Sequence, residues 1–140
     1  TGRFGQRLIL CCAPMIECFD RKQAQYVGLF FETKLVSTNA LYRSIRGRNI
    51  KSKEARDFVR DAGAELEAQK PCCVPGPYGL RIALSKSTRI DCDNALKAMI
   101  DLLHMHGVVE GDGKRYLRRI EVWFSDNDKT MVQVISTRGE

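Results

Sequence analysis

The run Asp91-Cys92-Asp93-Asn94, followed by Lys97, is the part of the chain best suited to chemistry. It concentrates oxygen ligands where the sequence predicts a helix to begin. Residues two positions apart on a helix point about 200° apart, so Asp91 and Asp93 can share a metal only if Asp91 is the N-cap, outside the helical rotation. From there its carboxylate can turn toward that of Asp93, and the positive end of the helix dipole favours both charges.

A third carboxylate, Asp112, follows the predicted helix in the turn Gly111-Asp112-Gly113. Mg²⁺ prefers oxygen ligands, and two carboxylates completed by water and phosphate oxygens suit it. Such an ion lowers the pKa of bound water and neutralises charge on a reacting phosphoryl group. Lys97 would stabilise the same charge or the leaving group. The residues therefore indicate metal-assisted cleavage of a phosphodiester.

Each of these residues also has a plain structural explanation. Asp93, Lys97 and Asp101 are spaced by four positions along one helix face, and for this trio alone a solvated charge ladder is the preferred interpretation. Asp112 lies between two glycines, which is ordinary turn composition. N-capping explains one acid at a helix start, but it does not explain three acceptors together.

The elements that must position these residues follow from hydrophobic periodicity. Strands are predicted over 26–36, 78–85, 116–124 and 131–136, and helices over 53–69 and 92–106. Ser52 is predicted to cap the first helix and Gly107 to end the second. Residues 37–50 are predicted to form a loop. This order predicts an α+β fold, with residues 26–140 as a small single domain after an N-terminal extension or extra element over residues 1–25.

The chain has 140 residues and a formal net charge of +6, which makes a polyanion such as DNA the first partner to consider. Basic residues cluster in segments that flank the acids in sequence. Each cluster is either a solvated surface or part of a groove that follows a phosphate backbone. The candidate DNA-binding residues are Arg43, Arg46, Arg48, Lys51, Lys86, Arg89, Lys114 and Arg115.

Other functional classes are disfavoured. The apolar stretch Leu8 to Met15 is far shorter than the roughly 20 residues of a membrane span, so no membrane partner is expected. Six cysteines lack CxxC spacing, and His104 and His106 lack partners, so zinc is not indicated. Reduced thiols in a cytosolic core are the expected state of the cysteines.

These segments resemble the RusA-type Holliday-junction resolvases. The likeness is carried by the D-x-D-N-x-x-K-x-x-x-D pattern of Asp91 to Asp101, by the segment Gly107 to Asp112, and by the S-x-N-x-x-Y-R pattern of Ser37 to Arg43. It covers roughly residues 27–137. Ile90 departs from the family, which often has arginine directly before the first aspartate.

The resemblance implies a magnesium-dependent endonuclease, with Mn²⁺ as a substitute ion and no small-molecule cofactor. It implies a mixed sheet with two main helices, and a two-fold homodimer that resolves four-way (Holliday) DNA junctions by paired symmetric nicks. Asp91, Asp93 and Asp112 would be the metal-binding and catalytic acids, Lys97 a catalytic lysine, and Asn94 a support for the acids. Such an enzyme acts in DNA recombination, DNA repair or phage DNA processing, in the cytoplasm of a bacterium or phage-infected cell.

Alternatives remain open. A non-catalytic module that binds branched DNA would keep the fold and the basic surface, with its acids as caps and surface charges. A calcium-regulated protein is disfavoured because no EF-hand spacing is present. Only the endonuclease requires magnesium-dependent cutting that is lost when Asp93 is replaced. For the dimer, the apolar side of the second helix or the sheet edge is the expected interface.

Chain geometry limits how Asp112 can reach Asp91. A helix over 93–106 spans about 20 Å, and the six residues over 107–112 reach at most about 20 Å when extended. Asp112 can return only if this segment runs nearly straight or the helix is shorter. Otherwise Asp112 would serve the site of a partner subunit. We favour the same chain, because Val108 and Val109 suit an extended backbone.

Overall fold

Two helices and a four-stranded sheet form the framework of residues 17–138, the part of the chain that the computed structural model describes. Helix α1 spans Lys53–Ala68 and helix α2 spans Leu96–Met105. The strands are β1 (Tyr26–Phe31), β2 (Tyr42–Ile45), β3 (Arg48–Lys51), β4 (Tyr78–Leu84), β5 (Leu117–Phe124) and β6 (Thr130–Ser136). The predicted order of the main elements and the small α+β fold with two helices are confirmed.

The main sheet is mixed and has the strand order β1-β6-β4-β5. Strand β6 runs antiparallel to both β1 and β4, whereas β4 and β5 are parallel. Parallel neighbours need a crossover connection, and α2 lies within the one that joins β4 to β5. Strands β2 and β3 form a separate antiparallel pair.

The core lies between one face of the sheet and the two helices. In β1, buried Val27, Leu29 and Phe31 alternate with exposed residues, as expected for a strand with one covered face. The helices add their own buried side chains. These are Ala55, Phe58, Ala62 and Leu66 from α1, and Ala98, Met99, Leu102 and Leu103 from α2.

The predicted start of α1 at Ser52 and the predicted end of α2 at Gly107 are confirmed. The hydroxyl of Ser52 accepts a hydrogen bond from the amide of Ala55 at 3.1 Å, so Ser52 is the N-cap of α1. Gly107 follows α2 with φ of 72°, and the amide of Val108 donates to the carbonyl of Leu103. Both contacts satisfy backbone groups that a helix leaves unpaired at its ends.

Two predicted boundaries were wrong. The first strand ends at Phe31 instead of residue 36, because the amides of Glu32 and Thr33 donate to the carboxylate of Glu65 and not to a neighbouring strand. The second helix begins at Leu96 instead of residue 92. Residues Cys92–Asn94 form a short 3₁₀ turn ahead of it.

The predicted loop over residues 37–50 was also wrong. It contains a 3₁₀ turn at Thr38–Ala40 and the β2–β3 hairpin. Arg46 and Gly47 connect the two strands with φ of 51° and 77°. Positive φ at both positions matches the twist of a two-residue hairpin turn. The hairpin buries neither face, so its sequence carries no hydrophobic alternation to reveal it.

Part of the predicted N-terminal extension packs onto the domain. Cys73 donates its amide to Lys22, and Ala24 donates to Cys73, at 2.7 and 2.8 Å. Arg21 donates to both carboxylate oxygens of Glu67 at 2.7 Å. Glu67 also pairs with Nδ1 of buried His106 at 2.6 Å, which gives this histidine a structural contact.

Residues 1–16, with the apolar stretch 8–15 and Cys11 and Cys12, lie outside the described residues, as do residues 139–140. The four cysteines that the structure describes are all free thiols, namely Cys18, Cys72, Cys73 and Cys92. Across residues 17–138, no helix has the length and apolar character to cross a bilayer.

Candidate functional site

The two candidate metal acids lie on the 3₁₀ turn between β4 and α2. Asp91 is the N-cap of this turn, with an extended backbone at φ of −67° and ψ of 151°. Its side chain forms no capping hydrogen bond, so the carboxylate is free to face outward. Asp93 sits two positions later in the same turn, and both acids are exposed. The predicted position of Asp91 outside the helical rotation is confirmed, although the turn is 3₁₀ and not the first turn of the helix itself.

Lys97 lies in the first turn of α2. Its ammonium group donates to Oδ1 of Asp101 at 3.2 Å, so this part of the predicted charge ladder is present. That hydrogen bond and the charge of Asp101 raise the pKa of Lys97 above its ordinary 10.5, and the charge of Asp112 adds to the effect. Lys97 is therefore a fixed cation at neutral pH, under the influence of two carboxylates.

Asp112 is held at the end of a returning segment. The amide of Val74 donates to Val108 at 2.8 Å, and Val109 pairs with Val74. One residue before the acid, the carbonyl of Gly111 accepts a hydrogen bond from the hydroxyl of Tyr78 at 2.9 Å. Because α2 is shorter than predicted and this segment runs along Val74, the charge of Asp112 acts on Lys97 of the same chain.

Tyr78 anchors this acid-bearing turn from inside the core. It begins the central strand β4 and is almost fully buried. Burial raises the pKa of its phenol, and the charge of Asp112 raises it further, so the hydroxyl remains a hydrogen-bond donor. Tyr78 precedes Asp112 by more than thirty positions, and no local pattern links the two residues. Sequence reasoning placed Tyr78 in a strand but missed its contact with Gly111.

The segment with the S-x-N-x-x-Y-R pattern lies against the acidic turn. The hydroxyl of Thr38 donates to the carbonyl of Asn94 at 3.2 Å, and Ser37 accepts from the amide of Asn39. Asn94 therefore joins the two segments through its main chain. Its side-chain amide forms no hydrogen bond within residues 17–138, so its support of the acids stays a prediction.

The candidate DNA-binding residues occupy three surfaces. Arg43, Arg46, Arg48 and Lys51 belong to the β2–β3 hairpin. Lys86 and Arg89 lie between β4 and Asp91, whereas Lys114 and Arg115 follow Asp112, and all four are exposed. Lys86 pairs with Asp128 at 2.8 Å, so part of its charge is already compensated. The guanidinium of Arg115 lies over the ring of Tyr116, 5.4 Å from its centre.

The acids of the site suit a magnesium ion better than a metal held by protein alone. No three histidine, cysteine or acidic side chains in the described residues stand close enough together to hold a metal. Mg²⁺ commonly uses one or two carboxylates and completes its shell with water and substrate phosphates. Asp91 and Asp93, on one exposed turn, offer that kind of incomplete set, and Asp112 does not complete a three-residue group with them in the described residues.

The chain matches no protein-family model, and no curated protein matches it significantly. The likeness to RusA-type resolvases therefore stays a prediction based on the residues of the acidic turn, the lysine and the returning segment.

Proposed function

We propose that this chain is a magnesium-dependent endonuclease that nicks four-way DNA junctions. The main support is the exposed pair Asp91 and Asp93 on the turn directly before Lys97, whose ammonium group is also raised in pKa by the charge of Asp112. Asp112, which follows α2 in the sequence, is thus within electrostatic range of Lys97 in the first turn of that helix.

Each residue has a defined part in the proposed reaction. Asp91 and Asp93 would hold Mg²⁺, with water and phosphate oxygens completing its shell, and Asp112 would act through its charge on Lys97. When bound there, Mg²⁺ would supply activation of a water molecule and neutralisation of the negative charge of the phosphate. Lys97 stays protonated at neutral pH and donates a hydrogen bond to a phosphate oxygen or to the departing oxygen of the cut strand. Asp101 keeps the lysine charged and oriented.

A junction needs two nicks placed symmetrically, so the proposed enzyme is a two-fold homodimer. The apolar side of α2 is occupied by the core of its own chain, through residues such as Met99 and Leu102. Edge strand β5, by contrast, exposes Ile120 (42%) and Phe124 (58%). Of the two predicted interfaces, the sheet edge is the better supported.

Cutting of a labelled four-way junction, compared with linear duplex, tests the proposal. The parent chain should give paired nicks that require Mg²⁺. Asp93→Asn should abolish them, whereas Asp61→Asn, which removes an exposed acid of α1, should leave them unchanged. Junction binding without cutting under any divalent ion would contradict the proposal and favour a non-catalytic branched-DNA-binding module.

A further inference from the structure

The β2–β3 hairpin, which we call the ribbon (residues 42–51), projects from the domain as two paired strands without a third. Residues 42–50 are all exposed. At its base, Ser52 donates its amide to the carbonyl of Leu41 at 2.9 Å, and buried Leu41 anchors the first strand in the core. Thr38 ties the preceding turn to Asn94. The ribbon is therefore rooted beside the acidic turn.

The ribbon carries a concentrated positive charge. It carries four cations, Arg43, Arg46, Arg48 and Lys51, and no acid. Within the described residues none of the four forms an ion pair, although other surface cations such as Lys53, Arg60, Lys86 and Lys97 do. Uncompensated positive charge on a projecting element favours an external polyanion.

The pairing register separates the two faces of the ribbon. Tyr42 lies opposite Lys51, and both line a small cleft with Asp101 of α2, so this face turns toward the helices. The other face pairs Arg43 with Ile50 and Ile45 with Arg48. Its two isoleucines are 42% (Ile45) and 39% (Ile50) exposed.

We propose that the ribbon enters the major groove of a DNA arm beside the cleavage site. This groove is about 12 Å wide and admits a two-stranded β-ribbon. Arg43 and Arg48 contact phosphates on either side, and Ile45 and Ile50 contact base edges such as thymine methyl groups. The inference rests on the proposed function for its DNA partner, but it adds a binding element and a groove that cutting does not require.

Binding of a four-way junction in Ca²⁺ or EDTA, measured by fluorescence anisotropy over a range of salt, tests this element without cleavage. Each phosphate contact contributes about 0.9 to the slope of log affinity against log salt. Arg43→Gln with Arg48→Gln should therefore reduce the slope by about 1.8. The matched control, Arg60→Gln with Lys129→Gln, removes two exposed cations elsewhere and should keep the parent slope.

The isoleucines give a second, independent result. Ile45→Ser with Ile50→Ser should weaken binding several-fold and leave the salt slope unchanged, because no charge is removed. Amide hydrogen exchange over residues 42–51 should slow when DNA is added to the parent chain. The inference would be overturned if both ribbon variants kept the parent's DNA affinity and salt slope, with melting temperatures unchanged. It would also be overturned if DNA did not slow amide exchange in the ribbon of the parent chain.

The outcomes of these binding experiments can be distinguished from the outcome of the cutting assay. If the parent chain cuts junctions and the ribbon variants bind like the parent, only the ribbon inference is wrong. If the parent chain never cuts junctions and the ribbon variants bind more weakly than the parent, only the nuclease proposal is wrong.

Discussion

The ammonium group of Lys97 donates a hydrogen bond to the carboxylate of Asp101 one helical turn away, at 3.2 Å. A comparable pair, Lys53 and Asp57, stands at the start of α1 with 3.1 Å between its atoms. The two pairs differ in their surroundings, because the charge of Asp112 also acts on Lys97. Helix α1 thus supplies an internal reference for the lysine of the proposed site.

Replacing the partner should change the titration of this lysine. The folded pKa of Lys97 is raised above 10.5, so the lysine keeps its proton to a higher pH than a free lysine. Asp101→Asn should move its pKa down toward the ordinary value, as measured by NMR of the side-chain carbon next to the ammonium group. Asp57→Asn is the control and should leave Lys97 unaffected. An unchanged pKa in Asp101→Asn would contradict the contact.

Removing the lysine itself should separate binding from cutting. Lys97→Ala should retain junction affinity and lose about 10²–10³-fold in the cleavage rate, as expected when one preorganised donor to a developing charge is removed. Single-turnover cleavage with enzyme in excess measures this rate directly. Lys53→Ala removes the equivalent lysine of α1 and should cut at the parent rate. Parent-rate cutting by Lys97→Ala would rule out a catalytic role.

The sequence predicted the elements whose signals are local. The start of α1 is predictable from Ser52, because an N-cap interacts only with the next few residues. The end of α2 is predictable from Gly107, because a helix end also depends on neighbouring residues alone. The position of Asp91 outside the helix follows from the same local geometry. The return of Asp112 toward Asp91 could only be bounded by chain length, because the path of the segment after α2 depends on its packing against Val74.

The remaining features could not be predicted, for two physical reasons. The ribbon has no buried face, and periodicity detects burial more than strand formation. Its Arg46-Gly47 turn also lacks the asparagine or aspartate that usually marks this turn type. The contacts of Glu65 with Thr33 and of Tyr78 with Gly111 join residues more than thirty positions apart, which no local pattern records.

The partly buried ionic contact of Glu67 with Arg21 and His106 should make stability depend on pH. Burial opposes ionisation of Glu67, but hydrogen bonds from Arg21 and His106 outweigh it and hold the pKa of Glu67 below 4.5. Since the folded pKa is lowered, this stabilisation is present above the unfolded pKa and is lost as pH falls through the folded pKa. Glu67→Gln should cost about 1–3 kcal/mol at neutral pH and little in strong acid.

Urea unfolding between pH 7 and pH 3 measures the effect of Glu67→Gln. Asp126→Asn, an exposed acid in the turn between β5 and β6, should unfold like the parent at every pH. A difference between Glu67→Gln and the parent that stays constant over the whole range would mean that the ionised form of Glu67 is not what stabilises the fold.

The proposed dimer should depend on edge strand β5. Light scattering should give the parent the mass of two chains, and Ile120→Lys with Phe124→Lys should give a monomer that makes single instead of paired nicks. Tyr26→Lys with Phe30→Lys is a matched control, because it places the same charges at equally exposed positions of the opposite edge strand. A monomeric parent would refute the dimer. If the variant with Ile120→Lys and Phe124→Lys remains a dimer, the interface does not lie on β5.

The hydroxyl of Tyr78 holds the carbonyl next to Asp112 from inside the central strand. Opening of the turn that carries this acid therefore breaks a hydrogen bond to a fully buried residue of the sheet and leaves its hydroxyl unpaired. Many proteins lose activity on warming before they unfold, because their functional loops loosen first. Here the amides around Gly111 should exchange with solvent about as slowly as those of β4. Heat inactivation should accordingly coincide with melting of the whole domain, and this chain would have no temperature interval in which it is folded but inactive.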